Sequence, residues 1–350
     1  VEQPVDRQRV GRVVVLAHDR FTRSSGPFHL WCGELSAEAG SVDAIKEFFE
    51  VKGIFSSGWA HELIRFLKDP RLIAESVDFV VADISPLAIL SAEKAGIPSL
   101  LLENFTWDWI YEPFAREYPG FTKVSRFLSN VFQSSTYHGQ YAPACDPDAS
   151  CDFILPPVSR RPRTDRDVTR QALSIRADQK LALISLGGVK ATFNLPERID
   201  TGHNDIVFVF TGNFTEIQRH GNVIELPHHS GFYQPALVLA ADMLFGKAGY
   251  STYAEIYNFQ KPFSYLLRSD FRESAVLGEA LEQLPSAFEI DALSFDHFQF
   301  DPWIEKMMTA PTHPISTNGS DIAADNILFF IRSGKPRHRS ALKGVVESSH

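Results

Sequence analysis

Short runs of β-branched and aromatic residues alternate along this chain with stretches of helical character, and most runs are apolar at nearly every position. Runs of that kind mark parallel strands covered by helices on both faces, which restricts the chain to α/β architectures. The clearest unit is Val77-Asp78-Phe79-Val80-Val81-Ala82-Asp83, followed by Ile84-Ser85-Pro86 and a predicted helix from Leu87 to Ala95. Pro86 suits a first helical turn, because the N–H it lacks would have no partner there. Gly96-Ile97-Pro98 ends the helix, and Ser99 to Leu102 resumes a strand. An earlier strand is predicted from Arg12 to Ala17.

The second half repeats the rhythm more cleanly. Strands are predicted over Leu181–Leu186, Asp205–Phe210, Val223–Leu226, Asp242–Phe245 and Pro262–Leu267. Helices are predicted over Gln234–Ala241 and Ser251–Asn258, and Asp270-Phe271-Arg272-Glu273 opens the next. Between the halves, Pro156-Pro157-Val158-Ser159-Arg160-Arg161-Pro162-Arg163-Thr164 reads as a linker. With 350 residues and about 150 per domain, two domains are expected, 1–155 and 156–332, with a polar tail over 333–350.

Composition excludes several classes of partner. Hydrophobic residues are 44% and charged residues 22%, ordinary globular values that argue against disorder. A net charge of −9 repels phosphate backbones, so nucleic acid is not an expected partner. Three cysteines are too few and too odd in number for a disulfide framework, which points to a reducing compartment. No apolar run approaches the ~18 residues a bilayer span needs, and Val1 to Arg7 lacks the order of a secretory signal. The chain begins without Met, so processing, trimming or a fragment stays open. The expectation is a cytoplasmic protein with at most peripheral membrane contact.

In parallel sheets, ligands bind at the carboxyl ends of strands, where loops meet helix N-termini. Gly187-Gly188 follows one such strand, Thr211 ends the next, and the loop His228-His229-Ser230-Gly231-Phe232 follows a third. Lys247-Ala248-Gly249-Tyr250-Ser251-Thr252 then places a cation, a glycine and two hydroxyls at a helix start. Glu255 comes one turn later, where it could meet a sugar hydroxyl, and Arg272 could meet anionic oxygens. Each feature has a plainer reading: a tight turn at Gly187-Gly188, capping by Ser251 and Thr252, a favourable charge at Glu255. Their succession on consecutive strand ends raises the functional one. No His/Cys cluster at ligand spacing occurs, so neither metal nor cofactor is expected.

From Leu226 to Tyr233 and from Ala241 to Glu255, the sequence resembles the C-terminal half of GT-B glycosyltransferases. It is similar to the branch containing the peptidoglycan N-acetylglucosaminyltransferase and its glycosyltransferase-like relatives. The resemblance implies two Rossmann-like parallel-sheet domains facing across a cleft, the second binding a nucleotide-sugar donor, usually UDP-linked. By the same resemblance, His228, Ser230 and Phe232 would frame the base. Gly249, Tyr250, Ser251 and Thr252 would receive the diphosphate, with Lys247 beside them. Glu255 would hold the ribose. Asp270, Phe271, Arg272 and Glu273 would contact the donor sugar, with Gly187, Gly188 and Thr211 lining the cleft.

The first half matches less completely. Val80 to Pro86 and Leu102 to Glu112 resemble acceptor-domain segments, which makes Ser85, Asn104, Trp107 and Trp109 candidate acceptor contacts. Packing of these aromatics in a core is an equal reading. Relatives open with a Gly-His-Gly loop after the first strand, whereas Ala17 is followed here by His18-Asp19-Arg20-Phe21. Either His18 replaces that loop's histidine, or the family's first βα unit is missing. His18 and Asp83 are the candidate bases. The leading expectation is metal-independent transfer of a sugar from a UDP-type donor to an unknown acceptor hydroxyl. A nucleotide-sugar epimerase and a non-catalytic nucleotide-sugar-binding protein are the alternatives.

Overall fold

The computed structural model describes residues 12–18, 28–32, 77–186, 195–227, 229–269, 271–313 and 318–333. The chain divides into two compact units, Val1–Leu155 with Asp321–His350, and Pro156–Ser320.

The first unit is built on a six-stranded sheet in the order β2-β1-β3-β4-β5-β6. Its strands are β1 (Arg12–His18), β2 (Phe28–Cys32), β3 (Val77–Asp83), β4 (Ser99–Glu103), β5 (Tyr137–Tyr141) and β6 (Phe153–Leu155). All neighbours pair in parallel except β2, which runs antiparallel along β1. Helix α1 (Pro86–Ala95) starts and stops where the sequence predicts. Ser85 Oγ accepts from Ala88 N, Pro86 occupies the first turn, and Gly96 closes the helix in the left-handed region at φ 68°. Val80 and Ala82 of β3 and Leu101 of β4 pack with Ile89 of α1 and with Leu128 and Phe132 of α3 (Gly120–Gln133). A short helix α2 (Trp107–Tyr111) precedes α3.

The second unit holds a seven-stranded sheet in the order β13-β12-β11-β7-β8-β10-β9. Its strands are β7 (Lys180–Ser185), β8 (Ile206–Gly212), β9 (Gln218–His220), β10 (Val223–Pro227), β11 (Met243–Lys247), β12 (Phe263–Leu266) and β13 (Ala287–Glu289). Only β9 is antiparallel, to β10. The helices are α4 (Arg166–Ala172), α5 (Gln234–Ala240), α6 (Tyr250–Phe259), α7 (Glu273–Glu282), α8 (Ala292–Asp296) and α9 (Asp301–Thr309). Alternate residues of the central strands feed two cores, one containing Leu183, Val209 and Leu244, the other Ile184, Phe208 and Phe245. That is why these strands read as unbroken apolar runs.

Three differences from the sequence reading have physical causes. Strand β11 runs on through Gly246 and Lys247, which were expected in a loop. Gly246 lies opposite Ser185 of β7, and a Cβ there would collide with the Ser185 carbonyl oxygen. The segment after Pro156 is no loose linker, because Asn258 Nδ2 donates to Pro157 O and Asn318 Nδ2 to Ser159 O, at 2.9 and 3.0 Å. Helix α10 (Gly319–Ser333), expected within the second domain, turns to the first unit: Phe330 stacks on Tyr137 with ring centroids 4.3 Å apart.

At the amino edge of the second sheet, Asp242 ties α4 to β7. Its carboxylate accepts from Arg166 Nη2 (2.7 Å), Arg170 Nη1 (3.0 Å) and the Leu181 backbone N (2.8 Å). Burial opposes ionisation there, but the Leu181 amide and the two guanidiniums outweigh it and hold the carboxyl below the usual range.

Candidate functional site: the carboxyl edge of the second sheet

Strand order fixes where a ligand can enter. The chain leaves β7 on one side, through β8 and β10, and returns on its other side at β11. The carboxyl ends of β7 and β11 therefore form a topological switch point, where α/β sheets bind ligands. β7 ends at Ser185, with Gln234 Nε2 donating to its Oγ at 3.3 Å, and β11 ends at Lys247, which is buried. Thr211, near the end of β8, is half-buried and donates to Ile184 O at 3.4 Å.

Helix α6 begins directly behind this edge. Gly249 is its N-cap in an extended conformation, with no side-chain cap of its own. Its first-turn N–H groups therefore lack a side-chain acceptor from that position. Tyr250 Oη accepts from Val158 N at 3.2 Å, Ser251 is exposed and Thr252 is half-buried. Glu255, on the second turn, is only 3% exposed. Its Oε1 accepts from Arg160 Nη2 at 3.0 Å. Burial pushes the Glu255 carboxyl above its usual range, and the Arg160 charge and hydrogen bond only partly counter this. A buried carboxylate in the second turn of a helix that starts at the switch point is suited to accept hydrogen bonds from a polar ligand.

The loop after β10 leads into α5 through Ser230, Phe232 and Tyr233. Ser230 N donates to Pro227 O at 3.0 Å, and Phe232 lies partly buried against the first core. Two guanidiniums from the Pro156–Thr164 segment lie over the Tyr233 ring, Arg163 at 4.3 Å and Arg160 at 5.5 Å from its centroid. After β12, Arg268 lies over the Phe271 ring at 4.2 Å, and Arg272 is exposed at the start of α7. Glu273 is fully buried at the start of α7. Gly187, Gly188, His228 and Asp270 lie outside the described residues. Sequence reasoning missed Arg160, Tyr233, Arg163 and Arg268.

In the first unit, His18 ends β1 and Asp83 ends β3, and Ala17 and Asp83 are paired across the two parallel strands. The two candidate bases therefore sit at one edge of that sheet. Asp83 is half-buried and is followed by Ile84 at φ 43°, a left-handed conformation that β-branched residues rarely adopt. The acceptor candidates are more occupied than expected. Ser85 is buried as the cap of α1, Asn104 Nδ2 lies 3.9 Å from Cys145 Sγ, and Trp107 stacks on Tyr111 at 5.7 Å. Trp109 stays half-buried on α2.

A polar cluster that the sequence did not reveal lies beside them. His138 Nε2 is 2.8 Å from Glu103 Oε1, its Nδ1 is 3.3 Å from Asp148 Oδ2, and its backbone N donates to Asp152. Burial alone would lower the His138 pKa, but hydrogen bonds and charge from Glu103 and Asp148 raise it above the usual value. A raised histidine stabilises the fold fully below its unfolded pKa of about 6.5, and the gain is lost as pH climbs through the folded value. Urea unfolding between pH 5.5 and 8.5 is expected to show that loss, and His138→Gln is expected to flatten it.

Among the described residues, no group of three or more His, Cys, Asp or Glu side chains is placed to hold a metal, and no helix is long and apolar enough to cross a membrane. The solved structure of the glycotransferase of kitacinnamycin superposes with a TM-score of 0.51 at 17% identity, covering 77% of this chain and 76% of that one. A putative UDP-N-acetylglucosamine 2-epimerase from Listeria monocytogenes gives 0.51 at 13% identity, covering 86% and 88%. The chain has the GT-B fold. Transferases and an epimerase both use the GT-B fold, so the fold does not choose between them. No family model matches the chain. The L-arabinokinase of Arabidopsis thaliana is 27% identical over 301 residues, which are 84% of this chain. The chain spans 28% of the length of that curated relative.

Proposed function

We propose that the Pro156–Ser320 unit binds the nucleoside diphosphate of a sugar donor, UDP in the first instance, and that the chain transfers the sugar to an acceptor hydroxyl. The observation that carries the reading is Glu255, a buried carboxylate one turn inside the helix that starts at the switch point. A ribose diol would donate to that carboxylate. The diphosphate would lie at the first turn of α6, where backbone N–H groups and the helix dipole favour negative charge. Lys247 adds a cation at the same edge, so a leaving diphosphate could be stabilised without metal. The acceptor hydroxyl needs a base, and His18 and Asp83 are the candidates at the carboxyl edge of the first sheet.

The test is sugar transfer, or slow donor hydrolysis, by the intact chain with UDP-, GDP- and dTDP-sugars. Turnover is expected to persist in EDTA. His18→Ala or Asp83→Asn, whichever removes the base, is expected to lower it about 10²- to 10⁴-fold with UDP affinity nearly unchanged. If both variants stay within a few-fold of wild type, neither residue is the base. A loss of nucleotide binding in EDTA would mean that the diphosphate is held through a metal.

The relationship to a kinase, most of whose length lies outside the match, favours a second reading. In it the unit binds a nucleotide-sugar without turning it over, within a larger sugar-metabolising protein. Tight UDP binding with no transfer, hydrolysis or epimerisation of any donor would select it.

A further inference from the structure

We propose that Arg160 is a positioning residue of the nucleotide site: reaching back from the Pro156–Thr164 segment, it holds the Glu255 carboxylate in the orientation that receives a vicinal diol. The inference rests on the donor-site reading above and adds a residue whose sequence position marks it as connector.

The segment is built to deliver that side chain. Asn258 Nδ2 of α6 donates to Pro157 O and to Ser159 Oγ, at 2.9 and 3.1 Å. Asn318 bonds Ser159 on both sides, its Oδ1 accepting from Ser159 N and its Nδ2 donating to Ser159 O. Val158 N donates to Tyr250 Oη in the first turn of α6. Three hydrogen bonds to α6, from Tyr250 and Asn258, and two to Asn318 therefore fix the three residues before Arg160. The Arg160 side chain is half exposed, yet it ends on a carboxylate that is nearly wholly buried. That pair spans 95 residues of sequence. Its described hydrogen bond uses Oε1 of Glu255 and one guanidinium nitrogen, which leaves Oε2 as the oxygen to meet a ligand.

Electrostatics give the contact a consequence. Arg160 is the charged group that acts on the Glu255 carboxyl, and burial already pushes that carboxyl upward. On α6 the other titratable side chains are Tyr250, Tyr253 and Tyr257, and from the segment Arg163 lies over Tyr233. An opposite charge at hydrogen-bond distance typically lowers a carboxyl pKa by about one to three units. Without Arg160, Glu255 would take up a proton nearer neutrality and lose acceptor capacity toward a diol.

The test is UDP affinity of the intact chain by titration calorimetry between pH 5.5 and 8.5, for wild type, Arg160→Ala and Arg160→Lys. Arg160→Ala is expected to lose affinity relative to wild type as pH falls toward 5.5, by at most about tenfold, and to bind close to wild type at pH 8.5. Arg160→Lys, which keeps the charge, is expected to restore most of the low-pH affinity. Tighter binding by Arg160→Ala would mean that Arg160 obstructs the site, and a weaker but parallel pH profile would mean a merely structural contact. Either overturns the inference while leaving the donor site standing. No UDP binding by wild type at any pH would overturn the donor reading and this inference with it.

Discussion

Glu255→Ala is expected to cost UDP about 1.5–3 kcal/mol of binding free energy, the range for a hydrogen bond to a charged group. That is roughly a tenfold to hundredfold loss of affinity. Pyrophosphate, which carries no ribose, is expected to lose far less, because its contacts would be with the first turn of α6 and the strand-end cations. The comparison isolates the diol from the diphosphate. Glu255→Gln retains shape and one acceptor, and is expected to fall between wild type and alanine. Equal losses for UDP and pyrophosphate would mean that Glu255 supports the site as a whole and does not contact ribose. The carboxylate is buried, so folding of each variant is checked first by its unfolding transition.

Asp242→Ala is expected to be the most destabilising change away from the ligand. It removes the acceptor for Leu181 N, Arg166 and Arg170 together. Arg170 is only 5% exposed, and would be left with carbonyl partners alone at Ala240, Arg176 and Gln179. Breaking a buried pair by removing one partner typically costs about 3–5 kcal/mol. The network lies at the amino edge of the sheet and the proposed nucleotide site at its carboxyl edge. Unfolding by denaturant is therefore expected to shift to lower concentration while UDP affinity stays near wild type. Asp242 ionises below the usual carboxylate range in the folded protein. Its contribution is thus present above the unfolded pKa of about 3.9 and lost as pH falls through the folded value.

Legibility in the sequence followed burial. Strands β3, β7, β8 and β11 are covered on both faces, so their apolar runs stand out from the charged stretches around them. Helix α1 was readable at both ends because Ser85, Pro86 and Gly96 each perform a local task. Strand β5 was not: Tyr137-His138-Gly139-Gln140-Tyr141 carries its polar residues inward, onto Glu103 and Asp148, and so has no strand-like apolar pattern. Gly246 falls just past the strand end that the sequence predicts at Phe245, although a close approach to Ser185 within β11 is what demands a glycine there. Of the proposed nucleotide site, the residues on α6 and at the end of β11 are legible because strand-end loops are local features. Arg160 was not, since its partner lies 95 residues away and nothing in Pro156–Thr164 points to it. The return of α10 to Tyr137 was hidden for the same reason, an aromatic contact between distant parts of the chain.

The most direct test of the central claim is a titration of the intact chain with UDP, followed by its thermal unfolding with and without saturating nucleotide. Binding to the native state alone adds RT ln(1 + [L]/Kd), about 2.7 kcal/mol at a hundredfold excess over Kd. Stoichiometric binding is expected, with a higher unfolding temperature that Glu255→Ala largely removes. No heat of binding and no rise in unfolding temperature with UDP, GDP or dTDP would contradict the assignment of a nucleotide site to the β7–β11 edge.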